Sequence, residues 1–157
     1  MSDLRSVVLA IEHATRRRDG LAQIVGRYER NLINMKEQMA QLKGYAMETE
    51  TRWTGSGPRQ TNAELIRHQY LFMDRLYQAI TLQTDVIADG ARQVEQAKAN
   101  LLQAEFRLAG LNQVLKTRRA GLLRLQRNRE QRHMDEFAAM VHARGRVQPM
   151  SGEKNDY

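Results

Sequence analysis

Residues 52–65 read "RWTGSGPRQTNAEL", and they decide the fold. Pro58, one of only two prolines in 157 residues, stands between Gly57 and Arg59, with Gly55 and Ser56 just before it. Gly and Pro end a helix: one exposes backbone at a high entropic cost, the other lacks an N–H and clashes with the preceding turn. "TNAE" then reads as a capping box, with Thr61 as N-cap and Glu64 three residues on. The stretch therefore predicts a helix, one tight break, and a second helix.

The flanks carry a period of 3.5. Before the break, Leu4, Ile11, Arg18, Val25, Leu32, Met39, Ala46 and Trp53 step by seven, with Val7, Ala14, Leu21, Tyr28, Met35, Leu42 and Thr49 three residues on. After it, Ile66, Met73, Ile80, Ile87, Val94, Leu101, Leu108, Leu115 and Leu122 are all apolar. Their companions are Gln69, Leu76, Gln83, Gly90, Ala97, Ala104, Leu111, Arg118 and Leu125. A sustained 3.5 repeat implies helices supercoiled about a shared seam. A short loop between two such helices favours the antiparallel arrangement. The expected fold is all-α, a long antiparallel two-helix coiled-coil hairpin with the second helix overhanging. Expected boundaries are 1–52 for the first helix, 53–61 for the turn, 62–142 for the second helix and 143–157 for a disordered tail.

With the turn centred near Gly57, Leu42 is expected opposite Phe72, Met35 opposite Ala79 and Ile80, Leu4 opposite Leu111, and Arg18 opposite Ala97. The small alanine would let the arginine stem cross the seam and reach water. At 1.5 Å per residue the arms are ~75 Å and ~120 Å long. Residues 112–142 are therefore expected to lack a partner within the chain, although Leu115, Leu122 and Leu125 continue the apolar seam there.

Charge is placed unevenly. Residues 1–50 hold eight basic and seven acidic side chains, residues 51–110 seven and six, and residues 111–157 ten and five. The late excess points to a partner surface. With no cysteine there is neither a disulfide framework nor a thiolate zinc site, which suits a reducing compartment. No apolar run approaches the ~20 residues needed to cross a bilayer, and the opening "MSDLRSVVLAIEHATRRR" reads as a helix start, not a signal peptide. A soluble chain is expected.

No phosphate-binding glycine loop, nucleophile motif or paired acid–base residues occur. His13, His68, His133 and His142 include no pair at i, i+4 and are expected on solvated surfaces. Two helices enclose no water-free interior, so an enzyme is rejected and neither a cofactor nor a metal is expected. The basic segment, with Arg118, Arg119, Arg124, Arg127 and Arg129, is open to three readings. It is a solvated helix face, a surface for nucleic-acid phosphates, or a surface received by an acidic or apolar protein cavity. The surviving heptad leucines favour the last, since phosphate binding does not need them. Pairing of two such segments in a homodimer also explains them. Nearer the turn, Gln38, Leu42, Tyr45, Phe72, Leu76, Ala79 and Gln83 mix polar and aromatic residues with seam positions, which marks a second docking surface.

Two stretches resemble the flagellar export protein FliJ family. "YLFMDRLYQAITLQ", residues 70–83, is similar to the start of that family's second helix, Phe-x-x-x-Leu-x-x-Ala-Ile-x-x-Gln. "LNQVLKTRRAGLLRLQRNREQRHMDEFAA", residues 111–139, resembles its C-terminal signature, ending here on Glu130, Gln131, Asp135 and Glu136. The resemblance covers nearly the whole chain and implies an antiparallel coiled coil of the flagellar type III export apparatus, similar to the stalk of rotary ATP synthases. It implies a cytoplasmic protein peripheral to the inner membrane, whose partners are the hexameric export ATPase, the cytoplasmic linker of the membrane export gate and escort chaperones. By position, the gate and chaperone surface falls on Gln38, Leu42, Tyr45, Phe72, Leu76, Ala79 and Gln83, though Thr49 stands where the family commonly has an aromatic. Arg118, Arg119, Arg124, Arg127 and Arg129 are expected to meet acidic loops lining the ATPase pore. An injectisome stalk protein of the same architecture is the nearest alternative, and a basic coiled-coil nucleic-acid binder the alternative of another class.

Overall fold

The computed structural model describes residues 2–55 and 63–146. They form two helices, α1 (Ser2–Gly55, 54 residues) and α2 (Ala63–Arg146, 84 residues), with no strand among the described residues. The helices pack against each other as an antiparallel hairpin, the expected class. Helix α1 continues through Trp53, Thr54 and Gly55, which the sequence assigns to the turn. Helix α2 continues through residues 143–146, assigned to the tail. The remainder of the expected turn, the capping residue Thr61 and the tail from residue 147 lie outside the described residues.

Contacts divide the chain into two compact units, one of residues 11–109 and one of residues 2–10 with 110–146. In the first unit the side chains withdrawn from water follow the heptads position by position. Ala14, Val25, Met39 and Ala46 of α1 are buried, as are Gly90, Val94, Ala97, Ala104 and Leu108 of α2, and the other seam positions from Ile11 to Thr49 and Ile66 to Leu101 are half-buried. Small residues recur among the buried ones because they let two helix backbones approach closely. At Gly90 a Cβ would come within 2.9 Å of Met35 Sδ and 3.4 Å of Leu32 Cδ1, so the missing side chain is the space that those two fill. No described side chain is fully buried, which is the geometric limit of a seam walled by only two helices.

The register differs from the expected one. Gln83 Nε2 donates to the Met35 carbonyl at 2.9 Å and Gly90 lies over the Met35 side chain, so Met35 faces Gln83–Gly90 and not Ala79–Ile80. Lys98 pairs with Glu29 at 3.7 Å, Tyr77 donates to Glu50, and Trp53 meets Tyr70 edge to face at 5.4 Å. Every pair is displaced toward the end of α2, by 4 to 13 residues. Two causes add. The described helix ends, Gly55 and Ala63, centre the turn beyond Gly57. Side chains also tilt toward their own helix N-terminus, which points away from the turn on α1 and toward it on α2, so touching residues carry higher numbers on both helices.

The expected pairing of Arg18 with Ala97 is corrected by the same shift. Arg17 and Leu21 share a shallow hollow with Asn100, Gln103, Ala104 and Arg107, which places that stretch across from this turn of α1. Arg18 remains half-buried, and its guanidinium meets Asp19 at 2.8 Å.

In the second unit Val7 is buried and Leu4, Leu111 and Leu115 are half-buried. Its two helical pieces are unequal. Residues 2–10 span ~14 Å and residues 110–146 ~55 Å, so the shorter piece covers only the beginning of the longer one. Every residue from Lys116 to Arg146 is exposed. Side-chain cover thus ends after Leu115, four residues later than the expected start of the overhang at residue 112.

Candidate docking surfaces

The exposed helix Lys116–Arg146 carries nine basic residues against three acidic ones. Arg118, Arg119, Arg124, Arg127 and Arg129 are all exposed, and none has an ion-pair partner among the described residues. Between them Leu122, Leu123 and Leu125 stand 45–56% exposed. Heptad leucines at Leu122 and Leu125 left in water, flanked by unpaired guanidinium groups, make a surface that gains from burial and from acidic company together. A second apolar group, not singled out by the heptad reading, follows at Met134, Phe137, Met140 and Val141, each more than half exposed. Its signal in the sequence was the i, i+3, i+7 spacing of Met134, Phe137 and Val141, off the seam of the preceding helix.

Of the seven residues expected near the turn, the structure joins two directly. Gln83 Nε2 donates to Gln38 Oε1 at 3.3 Å as well as to the Met35 carbonyl, so one amide crosses the seam and ties both helices. This bond places Leu42 level with Ala79, one turn nearer the helix ends, and not with Phe72. Leu42, Leu76 and Gln83 are half-buried seam residues, and Ala79 is half-buried beside the seam. Gln38 is exposed, as are Tyr45 and Phe72 at 63% and 51%. Phe72 stands one position off the half-buried Met73, which turns its ring to the flank. A partner reaching this region would meet the two exposed rings and Gln38, while the other four mainly hold the helices together.

A third feature was not legible in the sequence. Where α1 ends and α2 begins, a hollow of about 330 Å³ opens between Glu50 and Trp53 on one helix and Gln69, Tyr70, Asp74 and Tyr77 on the other. The sequence placed Trp53 at the turn; the structure keeps it helical with its ring against Tyr70, the planes at 86°. The Tyr77 hydroxyl donates to Glu50 Oε1. That bond, with some desolvation and the negative charge beside it, raises the tyrosine above its ordinary value.

All four histidines are exposed, and no group of three or more acidic or histidine side chains is gathered as for a metal among the described residues. No described helix is long and apolar enough to cross a membrane. The family model described as Flagellar FliJ protein matches residues 4–146, nearly the whole chain. No curated protein and no solved structure matches.

Proposed function

The chain belongs to the flagellar FliJ protein family, and on that premise we propose that it serves the flagellar type III export apparatus as a stalk-like coiled coil. Its late helix binds the hexameric export ATPase and promotes assembly and turnover of the ring. The region of Gln38, Leu42, Tyr45, Phe72, Leu76, Ala79 and Gln83 engages the cytoplasmic linker of the export gate and the escort chaperones. The protein acts without catalytic residues of its own, from the cytoplasmic face, peripheral to the inner membrane.

One observation carries the proposal: from Lys116 to Arg146 a helix of this family stands exposed, with basic residues in threefold excess and heptad leucines in water. A surface of this kind suits a ring of acidic loops, because the long guanidinium stems adapt to successive subunits without a single fixed geometry. Arg118, Arg119, Arg124, Arg127 and Arg129 supply the charge, and Leu122 and Leu125 the apolar area.

The experiment is ATP turnover and hexamer formation by the cognate flagellar export ATPase, with the full chain and with a chain truncated after Leu115. Stimulation by the full chain and none by the truncated one is expected. Equal stimulation by both overturns the assignment to the late helix. No effect of the full chain, together with salt-dependent binding to any DNA duplex, favours the nucleic-acid alternative.

A further inference from the structure

The hollow at the end of α1 and the start of α2 combines features that the seam does not require. Its walls are aromatic: Trp53 and Tyr70 pack edge to face, and Tyr77 stands across from Glu50. Its rim is acidic, with Glu50 and Asp74, and no basic residue lines it. On its lining, Gln69 Oε1 is withdrawn from solvent and accepts no hydrogen bond.

Each feature restricts the occupant. An anion is opposed by the two carboxylates. A purely apolar group would fill the volume and bring no charge to Glu50 and Asp74. A flat cation suits both remaining features: its charge meets Glu50 and Asp74, and its face meets the aromatic rings. The guanidinium group is planar, carries five donors and no acceptor, and is less strongly hydrated than an ammonium. About 330 Å³ lies at the small end of the range for ligand pockets, the scale of one side chain and not of an extended peptide. We infer that this hollow is a binding site for a single arginine side chain presented by a protein partner, with Trp53, Tyr70, Glu50 and Asp74 as its recognition residues. None of Gln38, Leu42, Tyr45, Phe72, Leu76, Ala79 and Gln83 lines the hollow, and no residue of the basic helix does.

Trp53 is the only tryptophan in the chain, so its fluorescence reports on this hollow alone. The probe is N-acetyl-arginine amide, set against N-acetyl-citrulline amide, which keeps the shape and loses the charge. The arginine derivative is expected to shift Trp53 emission in a saturable manner and to bind about tenfold more tightly than the citrulline derivative. The double variant Glu50→Gln with Asp74→Asn should abolish that preference while retaining the helical circular dichroism of the parent, since both carboxylates are exposed. Thr49→Phe places a ring into the hollow from its lining and should block the response with both carboxylates still present. Equal responses to arginine and citrulline, a preference surviving in the double variant, or no saturable response to either compound overturns the inference.

Discussion

Single positions in this coil differ in sign according to what stands over them. Gly44 has open space where a Cβ would be, so Gly44→Ala should only gain the helix propensity of alanine and raise stability by ~0.5–1 kcal/mol in urea unfolding. Gly90 is the opposite case. Its missing Cβ would come within 2.9 Å of Met35 Sδ, but that sulfur sits on a flexible side chain that can turn aside. Gly90→Ala is therefore expected near neutral, propensity offsetting repacking, whereas Gly90→Leu has no room and should cost about 1–3 kcal/mol. If Gly90→Leu unfolds at the same urea concentration as the parent, the close approach at Met35 is wrong. Tyr77 gives a pH signature. Its bond to Glu50 raises the folded-state value above the unfolded one, so the folded chain holds the proton more tightly. That contribution is complete below the ordinary tyrosine value near 10 and is lost as pH rises through the raised value. Stability should fall more steeply above about pH 10 in the parent than in Tyr77→Phe, a difference thermal melts across that range would detect.

At the scale of the helix, the same residue type has two values. Leu108 is buried at 7% exposure and Leu122 stands at 45%, although both occupy one heptad series. Leu108→Ala should cost at least ~2 kcal/mol by urea unfolding, while Leu122→Ala should change stability by no more than ~0.5 kcal/mol. A large cost at Leu122 would mean that its surface is covered within the free chain. The contrast also shows what was legible from the residues. The heptad period is a property of each helix alone, so the half-buried and buried positions from Leu4 to Thr49 and from Ile66 to Leu115 could be read directly. Register could not, because it combines the loop between Gly55 and Ala63 with the tilt of side chains, and neither leaves a mark in the spacing of leucines. The hollow beside Trp53 was hidden for the same reason. It exists only once Glu50 and Trp53 are set across from Tyr70 and Tyr77, a pairing the expected register would have placed elsewhere. Conversely, the exposed run from Lys116 followed from length arithmetic alone and was displaced by only four residues.

For the molecule as a whole, the net charge of +7 is concentrated late in the sequence, and that determines how a partner is met as well as how tightly it is held. Two roles are open to the arginines between Lys116 and Arg146, and they make different demands. If they steer the approach to an acidic ring, only their charge matters. Arg124→Lys with Arg127→Lys should then associate with the export ATPase as fast as the parent, while Arg124→Glu with Arg127→Glu should slow association by about 10–100-fold at low salt. Such steering fades as the screening length shrinks from ~10 Å at 0.1 M to ~3 Å at 1 M, so parent and charge-reversed chains should converge as salt rises. If instead the arginines grip carboxylates through paired N–H donors, the lysine variant keeps its on-rate and loses residence time, because an ammonium cannot reproduce the fork. Stopped-flow association and dissociation at several salt concentrations separate the two. We expect the steering pattern with a modest rise in the off-rate of the lysine variant, since exposed guanidinium groups meeting successive subunits form few fixed pairs. Identical kinetics for the parent and the charge-reversed chain at low salt would remove this helix from the encounter altogether.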